Sequence, residues 1–519
     1  MPPATPAQRP PQSGAASLAR IIAGSLEGRL ATLLMLVSVA LILWPLNGLQ
    51  RDYDEGVYWQ SLRAMASGRP LFTSVFSSQP PFFLVSLYPF YMLFGQSIAA
   101  ARFGVAVFAI VGVIAMYWLG RALGGHWVGL VAAALLAFDP AFLHEARTLQ
   151  AEAPAIALEI VAVALALAAS RRAGRLRAWL ALASGFALAL GALIKLLDVV
   201  AIVPMIAYLA TPLWVIFSAE GGRLRWPTWA EARPLLRPAL APVGWACAGG
   251  ALGGALVLAP FLGSFGALWS QVVTFHLTAA RVESANLGAN LLTILGGMKV
   301  LGVPTLLALG LAIWRRAWRL APPLLWLLAS IVTLARQAPL FSHHIALVIP
   351  CMALTVALGL TLPPLPARAA LRQAQALGYA AILIACALWG VGFGAYTAGQ
   401  AAQAPSDATT RLVSAIAAFT TPDQPIVSDD QYALALANRS TPPELVDTSL
   451  VRIATKRLTA AQLEAILGRP DTRYVVLATG RLTRVPGFDT WLTANFHQLI
   501  DLGDGVAIYE RAPSTSPIV

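Results

Sequence analysis

The sequence predicts an α-helical polytopic membrane protein with about eleven transmembrane helices, followed by a small C-terminal α/β domain. Three observations carry this reading. Hydrophobic residues make up 58% of the 519 positions and charged residues only 12%, with a mean hydropathy of +0.69. Apolar runs of about 20 residues recur along most of the chain, each long enough to cross a ~30 Å hydrocarbon layer. From residue 402 onward the composition changes to short β-branched runs separated by helix-like stretches.

Residues 1–29 are rich in Pro, Ala and Ser with scattered Arg, too polar to pack, and no small-residue cleavage site marks them as a leader. They are expected to form a disordered cytoplasmic tail. The first span is expected near 30–46. Further runs lie near 98–120, 127–143, 152–170, 177–193, 196–217, 243–262, 290–313, 320–336, 343–362 and 375–398, so that 30–401 forms the membrane module. With the N-terminus cytoplasmic, Arg171, Arg172, Arg175 and Arg177 share the inner face with Arg223, Arg225, Arg233, Arg237, Arg315, Arg316, Arg319, Arg368 and Arg372. The opposite loops are poor in Lys and Arg, which fixes this orientation. The outer face then collects residues 49–97, 139–152, the turn at Lys195, 264–290 and 336–344. An odd number of spans also puts 402–519 outside the plasma membrane. In that tail, strands are expected at 425–428, 473–479 and 506–509, and a helix at 458–467 capped by Thr459.

The formal net charge of +12 does not point to nucleic acid, because most basic residues sit in short loops between apolar runs. Cys247, Cys351 and Cys386 all lie inside apolar runs, where a thiol behaves as a small hydrophobe. No phosphate loop of the Gly-x-x-x-x-Gly-Lys-Ser/Thr type and no Gly-x-Gly-x-x-Gly is present, so a nucleotide donor has no evident binding motif. Asp429-Asp430 in the tail reads as turn chemistry. No internal repeat is visible, which counts against a transporter built from two related halves.

The candidate chemistry starts at Asp52-Tyr53-Asp54-Glu55, three carboxylates in four residues at a membrane boundary. A carboxylate here can deprotonate an acceptor hydroxyl within hydrogen-bond reach. Equally, Asp52 or Asp54 can cap a helix over 57–66, although a cap needs one acid and here there are three. The aromatic run 82–94 is short for a span. It suits a helix at the interface, either guiding a lipid tail or simply packed on the bundle.

In order along the chain come Asp54-Glu55, Gly68-Arg69-Pro70, Gln79-Pro80-Pro81, Phe94-Gly95 and Ala101-Arg102, then Arg147, Glu152 and Gly191-Ala192-Leu193-Ile194-Lys195. This order resembles the first outer loops of GT-C glycosyltransferases, the superfamily of protein O-mannosyltransferases and lipid A aminoarabinose transferases. The motifs cover about the first two hundred residues; beyond them the likeness is one of layout. The resemblance implies a helical bundle with an extracytoplasmic site and a polyprenyl-phosphate sugar donor. It implies Asp54 as catalytic base, Glu55 beside it in donor or acceptor binding, and Glu152 at the second acidic position. Many relatives have Lys-Pro-Pro where this chain has Gln79-Pro80-Pro81, and that lysine is associated with the lipid phosphate. Replacement cations expected on the same face are Lys195, Arg102, Arg147 and Arg336; Arg281, beside Glu283, reads as a surface charge. Lys195 can also snorkel to the interface, with Asp198 as a neutralising partner.

Gln79, Tyr53, His343 and His344 are the candidates for substrate contact. Adjacent histidines project apart on a helix, and no third His is placed to join them, so sugar or phosphate hydrogen bonding is favoured over metal ligation, with interface packing equally open. No cofactor is expected, and a divalent metal stays open. Expected partners are the polyprenyl-phosphate donor, a lipid, glycan or protein acceptor, and membrane lipids. The rival readings are a transporter or lipid flippase, and a scaffold in which Asp54-Glu55, Glu152 and Lys195 need not converge.

Overall fold

A computed structural model describes residues 26–44, 52–211, 228–298, 301–314, 320–359, 388–393 and 406–512, with a few pairs and single positions between these stretches. Most of the N-terminal tail, the Arg223 and Arg225 loop, Arg315, Arg316, Arg319, Arg368 and Arg372, Cys386, and half of the span expected at 375–398 lie outside them.

The protein is a helical membrane protein. Among the described residues, four helical runs are long and apolar enough to cross a membrane: Ile98–Gly124, Glu152–Ser170, Arg233–Val282 and Ser342–Gly359. The pair Leu287–Gly297 and Gly302–Trp314 makes a fifth if read as one broken span. Among the described residues, length and composition alone thus single out fewer spans than the eleven or so expected. Several expected spans are shorter apolar helices, including Gly28–Leu43, His126–Ala137, Leu196–Leu209 and Ala321–Ala335. Local chemistry explains one shortening. The run expected over 127–143 stops at Ala137 because Asp139 caps a new helix, Pro140–Glu145, accepting from the N–H groups of Ala141 (2.9 Å) and Phe142 (3.3 Å).

Small residues set the packing. A Cβ on Gly185 would fall on the carbonyl oxygen of Ala246, and one on Gly249 on that of Leu182. The Gly174–Ala192 and Trp229–Leu258 helices therefore meet backbone to backbone, as small residues permit in membrane bundles.

The tail folds as a four-stranded sheet in which Ile426–Ser428 and Phe496–Gly503 form the edges. β1 (Ile426–Ser428) runs parallel to β2 (Tyr474–Leu477), and β4 (Val506–Arg511) runs antiparallel to both β2 and β3 (Phe496–Gly503). Strand alternation splits its side chains between two cores. Val427, Val475 and Leu477 pack with Leu463, Phe488 and Leu492, while Ile426, Tyr474 and Val476 pack with Leu412, Ile416 and Leu434. Helices thus cover both faces. The expected helix forms over Ala460–Leu467, capped by Thr459 with Gln462 closing the capping box. β3 was not expected. It joins β4 through Asp504-Gly505, both in the left-handed region (φ 53° and 75°), a two-residue hairpin signal.

Candidate active site

The three acids of the tetrad face three different surroundings. Asp52, in extended backbone, caps the Tyr53–Ala66 helix by accepting the Asp54 N–H at 2.8 Å, and the same oxygen accepts from Gln150 Nε2 at 2.9 Å. Glu55 turns inward and is fully buried. It accepts from Arg102 Nε (2.7 Å) and Nη2 (2.6 Å) and from the Leu149 N–H (2.6 Å). A helix turns about 100° per residue, so Asp54 faces elsewhere, into a cavity of about 480 Å³.

Six parts of the chain meet around that cavity. The acidic helix contributes Tyr53, Asp54 and Tyr58, the following loop Gln79, and the end of the Gly174–Ala192 helix Lys195. Phe275 and His276 come from the long helical run, and His343 and His344 from the opening turn of the Ser342–Gly359 run. The tail contributes Asp447, Ser449 and Arg481. Burial and the nearby charges of Asp52, Asp447 and Glu152 push the Asp54 carboxyl up to about 7, against a smaller opposing pull from Lys195.

Behind Asp54, Lys195 Nζ is ion-paired with Glu152 Oε1, and His343 Nε2 stands 3.5 Å from the same oxygen. The two histidines lie in a 3₁₀ turn, Ser342–Val348, with ring centroids 4.5 Å apart. The expectation that they project apart, made for a regular helix, is corrected by that turn. One ligand atom each from Glu152, His343 and His344 lies within 4.8 Å of the others, so the third member of the group is a carboxylate 191 positions before His343 rather than a third histidine. That geometry would admit a cation, and the Lys195 ammonium already contacts its only carboxylate.

Of the expected site residues, Tyr53, Asp54, Gln79, Lys195, His343 and His344 line the cavity, and Glu152 joins them through Lys195 and His343. Four others stand apart from it. Glu55 and Arg102 hold each other in the interior. Arg147 Nε donates to the Leu41 carbonyl at 2.7 Å, and Arg336 is exposed at the end of the Ala321–Ala335 helix. For Glu55, Arg102 and Arg147 that placement follows from partners that local sequence does not reveal.

Asp447 and Arg481 carry no local signal of a site. Asp447 belongs to a turn readable from Asp-Thr-Ser, since it accepts the Ser449 N–H at 2.7 Å, but nothing nearby says which surface the turn meets. It meets Tyr53, whose hydroxyl donates to Asp447 Oδ1 (3.0 Å) and accepts from the Thr448 N–H (2.8 Å). The Arg481 guanidinium lies 3.9 Å above the Tyr53 ring centroid, a cation–π contact. Glu145 also escapes a local reading; it is buried close enough to Glu152 and Asp54 for their charges to reinforce burial in holding its carboxyl well above the usual range. The tail and the acidic helix touch directly. A Cβ on Gly56 would lie 2.5 Å from the Tyr432 backbone nitrogen, and Gln60 Nε2 donates to the carbonyls of Gln431 (3.4 Å) and Arg439 (3.0 Å).

Comparison with known proteins agrees with this layout. Residues 78–221 match the family described as dolichyl-phosphate-mannose-protein mannosyltransferase. ArnT from Cupriavidus metallidurans bound to undecaprenyl phosphate superposes with a TM-score of 0.61 at 16% identity, covering 94% of this chain and 99% of that one. The fold is GT-C. ArnT in the apo state gives a TM-score of 0.58 at 16% identity, covering 92% of this chain and 97% of that one. The GT-C likeness extends to the Archaeoglobus fulgidus oligosaccharyltransferase tethered to an acceptor peptide, with a TM-score of 0.53 at 13% identity, covering 96% of this chain and 75% of that one. No curated protein matches the sequence.

Proposed function

We propose that the protein is a membrane glycosyltransferase. It transfers a sugar from a polyprenyl-phosphate-linked donor to a hydroxyl of a lipid, glycan or protein acceptor on the extracytoplasmic face. Asp54 removes the acceptor proton, the acceptor oxygen bonds to the anomeric carbon, and the bond from that carbon to the phosphate oxygen breaks with its electron pair leaving on the phosphate. In-line attack inverts the anomeric centre. The observation that carries this reading is the Asp54 carboxylate opening into a cavity shared with the Lys195–Glu152 pair. A base poised near neutral pH is suited to proton transfer from an alcohol. Glu152 orients Lys195, and Gln79, His343 and Tyr53 are placed to contact substrate. The GT-C fold and the family match over 78–221 support the donor class. A transporter would distribute its polar residues between pseudo-symmetric halves; here those of distant segments meet at one cavity.

The test is transfer of radiolabelled sugar from polyprenyl-phosphate donors to membrane extracts, with the labelled product identifying the acceptor class. No transfer from any donor sinks the reading. Two further results are expected from the same assay. Turnover should fall about tenfold per pH unit below about 7, because the base is active only when ionised and its carboxyl is pushed up to about 7; a flat profile between pH 5 and 8 would remove Asp54 as the titrating group. Chelation of divalent cations should leave transfer unchanged, because the Lys195 ammonium already neutralises the carboxylate a metal would need. Loss of activity in chelator, restored by one added cation, would instead give Glu152, His343 and His344 to a metal.

A further inference from the structure

A leaving phosphate needs a cation placed beforehand in a water-poor site. Gln79 lines the cavity without charge, and the expected cations are engaged or displaced. Glu55 holds Arg102, Glu152 holds Lys195, Arg147 donates to a backbone carbonyl, and Arg336 lies off the cavity.

Arg481 differs from all of these. It lines the cavity, and among the described residues its guanidinium has no ion pair or hydrogen bond, only the Tyr53 ring beneath it. Its backbone is fixed from below. The buried Asp429 carboxylate accepts the N–H groups of Ala478 (2.7 Å) and Thr479 (3.1 Å) on one oxygen. The other oxygen accepts those of Arg481 (2.9 Å) and Leu482 (3.4 Å). One acid thus pins the whole loop after β2, and the aromatic contact leaves the edge N–H groups of the guanidinium available. A planar fork held this way matches a phosphate bidentately, which an ammonium cannot do.

We propose that Arg481, presented by the C-terminal sheet, binds the phosphate of the prenyl donor and of the prenyl phosphate product. The proposal rests on the glycosyltransferase reading and names the tail as the source of its phosphate contact.

Binding of undecaprenyl phosphate to the purified full chain in nanodiscs tests it, with undecaprenol and phosphatidylglycerol as controls for the tail and for an ordinary lipid headgroup. Arg481→Gln should weaken undecaprenyl phosphate binding by about 10- to 100-fold, the worth of a charged hydrogen-bond pair, and Arg481→Lys should recover part of it. Undecaprenol binding and the melting temperature should stay at the wild-type value in both. Unchanged undecaprenyl phosphate binding in Arg481→Gln overturns the proposal and leaves the glycosyltransferase reading standing. Equal loss for undecaprenol makes Arg481 a packing residue and also overturns it. Phosphatidylglycerol competing as well as undecaprenyl phosphate rejects the prenyl donor as its target. If the wild type does not prefer undecaprenyl phosphate to undecaprenol, both readings fall together.

Discussion

Asp54→Asn should lower turnover by about 100- to 10,000-fold, the usual contribution of a positioned general base, while the protein stays folded. The expectation follows from what surrounds the side chain. Asp52 caps the helix and Glu55 anchors it, so Asp54 has no structural partner to lose; among the described residues its carboxylate accepts no hydrogen bond. It is also surrounded by like charge from Asp52, Asp447 and Glu152. Removing its charge relieves that repulsion, so melting should occur at the wild-type temperature or above it. The loss should sit in kcat, with donor affinity little changed, because the proton is taken only as the reaction proceeds. Full turnover in a well-folded Asp54→Asn protein would end the base assignment and turn attention to Glu152.

Glu55→Gln should act in the opposite way, through stability. Both members of the Glu55–Arg102 pair are buried, at 0% and 1% exposure, and the pair ties the acidic helix to the second turn of the Ile98–Gly124 span. An amide cannot neutralise the guanidinium left behind, and breaking a buried pair from one side costs about 3–5 kcal/mol. Heating in detergent, followed by the loss of the monodisperse peak, should show a clearly lower midpoint for Glu55→Gln. Glu55→Met combined with Arg102→Met should be less damaged than either single change, because no charge is left stranded. A Glu55→Gln protein that melts with the wild type would mean that the pair contributes no anchoring.

The membrane module was largely legible where a charge ends an apolar run. Glu152–Ser170 emerges with the bounds read from the sequence, because Glu152 and Arg171 bracket it. Helix lengths were less legible where capping competes with hydropathy, as at Asp139. The acidic stretch was recognisable from composition, but the division of labour within it was not. Asp52 is selected as cap partly by Gln150, and Glu55 is drawn inward by Arg102 and Leu149, residues 47 to 98 positions away. Long-range packing decides such assignments, and neither propensity nor spacing encodes it. Arg481 and Asp447 were hidden for the same reason: each sits in an ordinary turn, and only the docking of the tail on the acidic helix brings them to the cavity.

The close fit of Gly56 against the Tyr432 backbone bears on how such a protein can be recombined. A tail that merely hung from the bundle could be exchanged between relatives as a cassette. Here the exchange would carry a foreign surface onto the helix that presents Asp54, and a graft that respects the junction must bring residues 52–66 along with its own sheet. The unit that keeps this junction intact is therefore split across the chain, its two halves more than 370 positions apart, and homologous swaps at a single crossover would separate them.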